Sequence, residues 1–191
     1  MGGVGETVLR GFIDGSSSSE RFEECVADLE AEFRPSFPGI DLKTVRAIAA
    51  CRMGAPPELV ARHVDWKGFE SFCAGILVSR GYRVRTNILL RRPRAQVDIL
   101  ASGNSVALLV DCKHWERAGG VSALGKAVEA QKRRAERLRG TLDVIAPMAV
   151  VIVSLRDEST RFVDGAAIVP IQTLRDFVEN ITAYMEHLEL Q

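Results

Sequence analysis

Apolar residues recur along this chain with two periods, and the change from one to the other near residue 81 divides it. Upstream, Phe22, Cys25, Val26, Leu29 and Phe33 fall three and four apart and predict a helix that Pro35 and Pro38 bring to an end. Gly11 to Ser19 (GFIDGSSSS) reads as a flexible polar lead-in to it. Asp41 suits the N-cap of a second helix through Arg52, with Val45, Ile48 and Ala49 on one face. The Pro56-Pro57 pair after Gly54 opens a third, carrying Leu59, Val60 and Val64. Residues 1–64 are therefore an N-terminal helical segment. Ala50, Gly54 and Val60 have the spacing of a helix-turn-helix, yet Pro57 to Val64 offers the bases little beyond Glu58, Arg62 and His63. A helical cap packed on the core is the leading reading of this segment.

Asp65 can cap a helix through Arg80 that buries Trp66, Phe69, Phe72, Cys73, Ile76 and Leu77, and Gly81 closes it. The period then becomes two. Tyr82 to Leu90 reads as a strand, Arg91-Arg92-Pro93-Arg94 as a turn, and Ala95 to Ala101 as a second strand. Ser102 to Ser105 is a hairpin loop, and Val106 to Trp115 a third strand. Val121 to Arg139 is a long basic helix, Ala149 to Ser154 a wholly apolar and central strand, and Ala166 to Pro170 a short one. Leu174, Phe177, Val178, Ile181, Tyr184, Met185 and Leu188 make an apolar stripe on a final helix, wide enough to cover the sheet or meet a second copy. The order α-β-β-β-α-β-β-α predicts an α/β domain over residues 65–191, a mixed β-sheet flanked by helices.

Charge sharpens this division. The formal net charge is zero. Residues 1–64 carry seven Lys/Arg against ten Asp/Glu, residues 65–140 fifteen against seven, and residues 141–191 three against eight. A basic middle lies between acidic flanks, which points to a polyanionic partner for the middle. Cys25, Cys51, Cys73 and Cys112 are widely spaced, as are His63, His114 and His187, so neither a zinc site nor a disulfide framework is indicated. The cysteines read as reduced and mostly buried. No apolar run is long enough to span a bilayer, and Met1 to Gly15 lacks the marks of a secretory signal, so a cytoplasmic location is expected.

The chemistry-bearing residues sit on the second and third strands. Asp98 interrupts the apolar Gln96-Val97-Asp98-Ile99-Leu100, and Asp111 and Lys113 end Leu108-Leu109-Val110-Asp111-Cys112-Lys113. Alternation sets Gln96 and Asp98 on one face and Asp111 and Lys113 on one face. A loop centred between Gly103 and Asn104 would put Asp98 opposite Leu109 and make Asp98 and Asp111 diagonal neighbours. Carboxylates converging from neighbouring strands repel, and a hard divalent cation, Mg²⁺ or Mn²⁺, resolves the conflict. Lys113 beside it could stabilise a pentacovalent phosphate or deprotonate the attacking water. The plainer alternative makes Asp111 and Lys113 a surface pair and Asp98 a turn cap.

Asp98 followed across a hairpin by Asp111-Cys112-Lys113 resembles the signature of the PD-(D/E)xK, or restriction-endonuclease-like, nucleases, whose order of elements it shares from about Asp65 to Pro170. Mrr-like restriction endonucleases and archaeal Holliday-junction resolvases are the nearest in pattern. Val97 stands where the family's proline is usual, and Asp111 where Glu is commoner. The resemblance implies a Mg²⁺- or Mn²⁺-dependent DNA endonuclease serving repair, recombination or restriction. It implies Asp98, Asp111 and the Cys112 carbonyl as metal ligands, with Glu70 on the preceding helix as an outer or second-metal ligand. It also implies a functional Gln131 on the following helix, although the tyrosine that often completes that motif is Ala135. For Glu70 an ordinary salt bridge is the alternative.

Basic residues flank these positions: Arg83 and Arg85 on the first strand, Arg91, Arg92 and Arg94 in its turn, and Lys132, Arg133, Arg134 and Arg137 on the long helix. They are candidate phosphate contacts to DNA. His114 and Trp115 follow Lys113 and could shape the site, with packing the leading role for Trp115. The rival to the enzyme is a catalytically inactive DNA-binding or scaffold subunit of the same fold, against which the intact Asp98, Asp111 and Lys113 count. An RNA-directed nuclease would want histidines as general acid and base, and these are scattered. Related enzymes that cut both strands often dimerise, so a homodimer is expected, with a helicase or repair protein as a further partner.

Overall fold

The computed structural model describes residues 3–37, 39–103, 105–113, 121–139, 147–155 and 159–191. Its first departure from expectation lies at the start. Helix α1 (Gly3–Asp14) occupies much of the stretch read as a polar lead-in, and Ile13 on it is buried. Leu9, Phe12 and Ile13 supply helical spacing that Gly11, Gly15 and the serines mask in composition. Helix α2 (Glu20–Phe33) starts where the Ser19 hydroxyl accepts the Phe22 N–H, and it buries Phe22, Val26, Leu29 and Phe33. Asp41 caps helix α3 (Leu42–Arg52) as expected, and helix α4 (Pro57–Ala61) ends three residues before Val64. The α3 segment is buried over Thr44–Ala50. Arg46 donates from there to the Phe12 carbonyl at 2.6 Å and pairs with Glu23 at 2.9 Å, which fixes α1 and α2 against it.

Helix α5 (Trp66–Val78) begins where Asp65 accepts the Gly68 N–H at 2.7 Å, and Gly81 turns the chain after it with φ of 84°. Trp66 was expected inside, but it is 60% exposed, because the first turn of α5 extends past the core that Phe69, Phe72, Cys73 and Leu77 enter. Gly75 lies against α3 so closely that a Cβ there would fall 2.1 Å from Ile48 Cδ1. One hydrophobic cluster accordingly runs from Ile13 and Phe22 through α3 and α5 to Val110, Val151 and Val169 on the sheet.

Six strands form one mixed sheet in the order β1-β2-β3-β4-β6-β5: β1 (Arg83–Leu90), β2 (Ala95–Ser102), β3 (Ala107–Lys113), β4 (Met148–Ser154), β5 (Arg161–Val163) and β6 (Ala166–Pro170). The first three are antiparallel, and β3, β4 and β6 run parallel. Every residue of β4 is buried, as its continuous apolar run requires of a strand covered on both faces. The edge strand β5 went unread; its three residues, Arg-Phe-Val, pair with β6 and are too few to show alternation. Helix α6 (Val121–Arg139) covers the second face over Leu100, Leu109, Val150 and Ile152.

The final helix is also corrected. Helix α7 (Leu174–Glu179) stops at Asn180, and 181–187 continue as a tighter 3-10 turn. The stripe survives this break because Leu174, Phe177, Val178, Ile181 and Leu188 remain buried in the chain's own core. No helix among the described residues is long and apolar enough to cross a membrane. Of the cysteines, all free, only Cys73 is fully buried.

Candidate active site

The β2–β3 register differs from expectation by two residues: Ile99 pairs with Val110 and Leu100 with Leu109. Asp98 and Asp111 therefore lie just beyond the last pair. Named pairing between β2 and β3 stops at Ile99, whereas β3 stays paired with β4 through Lys113. Beyond that point a side chain spans the two strands: Asp98 Oδ2 accepts the Cys112 backbone N–H at 2.9 Å.

The hairpin changes face here. Val84 and Ile99 join the cluster under α5, but Leu90 and Val97 join the one under α6. Residues two apart on a regular strand share a face, so Val97 and Ile99 show that alternation breaks at Asp98. Asn87, the β1 residue opposite Asp98, carries the matching distortion with φ of 54°. Asparagine tolerates that left-handed conformation, and its side chain accepts from Gln96 Nε2 at 2.9 Å. The opening between β2 and β3 thus follows from a local twist, and it leaves Asp111, Cys112 and Lys113 beyond the end of the β2 pairing.

Three carboxylates meet around this opening. Asp111 is buried, and Lys113 Nζ lies 2.7 Å from its Oδ2. Arg134 on α6 reaches Asp111 Oδ1 at 3.2 Å and donates from the same nitrogen to Gln131 Oε1 at 2.7 Å. Glu70 enters from α5, is 5% exposed, and its Oε2 has no hydrogen-bond partner among the described residues. Burial first, then the charges of Asp98 and Asp111, raise the Glu70 carboxyl to about 7, while Lys113 and Lys67 oppose the rise. Asp98 is likewise raised by burial, against which the Cys112 N–H works. Cys112 points to the other face, where a hydrogen bond with Cys73 and burial hold its thiol well above the usual range. From this residue only the carbonyl is available to the site.

The structure brings together Glu70, Asp98, Asp111, Lys113 and Gln131. The basic residues are dispersed. Arg83, Arg85, Arg91, Arg92 and Arg94 are exposed along β1 and its turn, where Arg85, Arg91, Arg92 and Arg137 line a cleft of about 960 Å³. On α6, Lys132 pairs with Glu189, Arg133 with Glu129, and Arg137 with the Pro93 carbonyl. Arg134 turns inward. Its place at Asp111 was missed, although its spacing of three from Gln131 put both on one side of α6. Lys67, three residues before Glu70, was missed for want of a motif. His114 and Trp115 lie outside the described residues.

Among the described residues no three acidic, thiol or imidazole groups stand close enough together to hold one ion as they are. The donor set nonetheless fits a hard divalent cation. It is all oxygen, and among the described residues a buried Glu70 oxygen has no hydrogen-bond partner.

Residues 61–142 match the Mrr_cat family model, described as restriction endonuclease. That span takes in α5, the hairpin, β3 and α6. Over that span the chain is similar to restriction-endonuclease-like nucleases. The mixed six-stranded sheet with its flanking helices is consistent with that fold. An uncharacterized protein of Archaeoglobus fulgidus is 28% identical over 123 residues, 63% of this chain and 94% of the relative. The crystal structure of protein VC1899 from Vibrio cholerae aligns with a TM-score of 0.40 at 14% identity, over 96% of this chain. This chain spans about half (55%) of that one, and a likeness at this level carries no argument.

Proposed function

We propose that this protein is a DNA endonuclease that hydrolyses phosphodiester bonds with Mg²⁺ or Mn²⁺, and that its setting is DNA repair, recombination or restriction in the cytoplasm. The observation that carries the reading is the placement of Asp98 and Asp111 just past the last β2–β3 pair, with Lys113 on Asp111 and the buried Glu70 carboxyl close enough to feel both acids. Asp98, Asp111 and the Cys112 carbonyl would hold the ion, with Glu70 as outer or second-metal ligand. Such an ion supplies a Lewis acid for the phosphate and an acidified water. Lys113 then places an ammonium where charge develops on the phosphorus oxygens. Arg83, Arg85, Arg91, Arg92 and Arg94 would draw the flanking backbone along β1, and Lys132, Arg133 and Arg137 are offered to it from α6.

A second reading has a specific observation behind it. Lys113 and Arg134 already cover both oxygens of Asp111, as they would in an inactive subunit that binds DNA without cutting. Supercoiled plasmid and branched DNA, incubated with wild type and Asp111→Ala in Mg²⁺, Mn²⁺ or EDTA, separate the two. Metal-dependent cutting by the wild type alone supports the enzyme. Equal, tight binding by both proteins with no cutting supports the scaffold.

Cutting two strands calls for two sites, and a homodimer would supply them, with a helicase or repair protein as a further partner. The apolar stripe at 174–188 is spent on the chain's own core, so a dimer would use another surface. Light scattering on the purified protein reads its mass directly.

A further inference from the structure

Two cations neutralise Asp111, and they are held differently. Lys113 sits two residues along the same strand, so its 2.7 Å contact is local to β3. Arg134 reaches in from α6, and one nitrogen serves two acceptors, Gln131 at 2.7 Å and Asp111 at the longer 3.2 Å. Its firmer bond is therefore to Gln131. The Gln131 side chain is fully buried and its Nε2 has no partner among the described residues, so the amide spends itself on orienting Arg134. Arg134 keeps about a quarter of its side chain open to solvent (28%), which gives it a way out.

We propose that Arg134 is a displaceable counter-cation: it occupies the Asp111 carboxylate in the absence of metal, is anchored there by Gln131, and must leave that oxygen before a divalent ion can use it. This rests on the metal-dependent reading of the site. A carboxylate that is buried and about to be bridged by a dication is costly when bare, and an arginine on it relieves that cost. Once a dication is on the same oxygens, the guanidinium is repelled, and its remaining bond to Gln131 keeps it over the site rather than releasing it to solvent. Gln131 is thereby a positioning residue acting through Arg134.

The test is Mn²⁺ binding by calorimetry without DNA, on wild type, Arg134→Met, Gln131→Met, Arg175→Met and Asp111→Ala. Arg134→Met keeps the stem and removes the charge. Arg175→Met removes an equal charge from α7, where the side chain pairs with Glu179. The expected result is a tenfold or greater gain in Mn²⁺ affinity for Arg134→Met, a smaller gain for Gln131→Met, a change within twofold for Arg175→Met, and no binding by Asp111→Ala. Gln131→Met keeps the proposal open to test if Arg134→Met does not fold. Equal affinity in wild type and both site variants overturns the proposal and leaves the nuclease reading standing, as does an equal gain from Arg175→Met. Absence of Mn²⁺ binding in every folded protein overturns both.

Discussion

From Ala107 to Val110, β3 lies between β2 and β4 and buries every side chain; from Asp111 to Lys113 it is paired with β4 alone and carries charge. One strand thus serves two purposes with four residues and three. The first four commit their backbone on both edges and their side chains to both faces, and they gain their stability from burial. The last three lose one neighbour because the hairpin twists away at Asn87 and Asp98. What replaces the lost pairing is a carboxylate on a backbone N–H, a bond that can be reassigned without unfolding the sheet. A site that must take up and release a ligand is better built on such contacts than on a complete ladder.

Substitutions on either side of Val110 should separate along that line. The largest effect belongs to Asp111→Ala, for which plasmid cutting should fall by about 10³-fold or more, the several kcal/mol that metal catalysis supplies. Its urea midpoint should move little. If stability collapses instead, the two halves are not distinct. Next comes Leu109→Ala, which should cost about 2–5 kcal/mol in urea unfolding, with the folded fraction cutting at the wild-type rate. A cutting defect beyond the loss of folded protein would show that the buried half also shapes the site.

Glu70→Gln should act through pH. The folded-state carboxyl is raised above its ordinary 4.5 to about 7, so the unfolded chain gives up this proton first as pH rises. Charging Glu70 therefore destabilises the fold progressively between about 4.5 and 7 and by a constant amount above that. Without metal, Glu70→Gln should melt above wild type at pH 8 and together with it below pH 4.5. A gap that persists at pH 4 would trace the effect to packing. The smallest change in stability is expected of Asp98→Asn, because the amide oxygen can still accept the Cys112 N–H. Unfolding should shift by about 1 kcal/mol or less while metal uptake is lost.

The buried halves of the strands were the most legible part of the chain. Met148 to Val153 is apolar throughout, and Asp41 and Asp65 mark their helices because a short acid at an N-cap satisfies the next turn's free N–H groups. The pair Asp98 and Asp111-Cys112-Lys113 was legible as a pattern of charge where burial would forbid it. Less could be read where conformation depends on a single backbone angle. Nothing in Thr86-Asn87-Ile88 announces a left-handed residue inside a strand, so the face change and the early end of the β2–β3 pairing were out of reach. Arg134 was read as a phosphate contact because charge runs on helices look alike until the side chains are aimed, and its aim is set by Gln131. Trp66 misled in the opposite way: its period fits the apolar face of α5, but the core ends before it.

The near-contact of Gly75 with Ile48 carries a consequence for how this sequence can drift. Any side chain at 75 would have to displace the methyl of Ile48, 27 positions earlier on helix α3. Alanine there should be tolerated chiefly when residue 48 has already become smaller. The two sites are therefore expected to be inherited as one, each change waiting on the other, and through them the history of the leading helices is tied to that of helix α5.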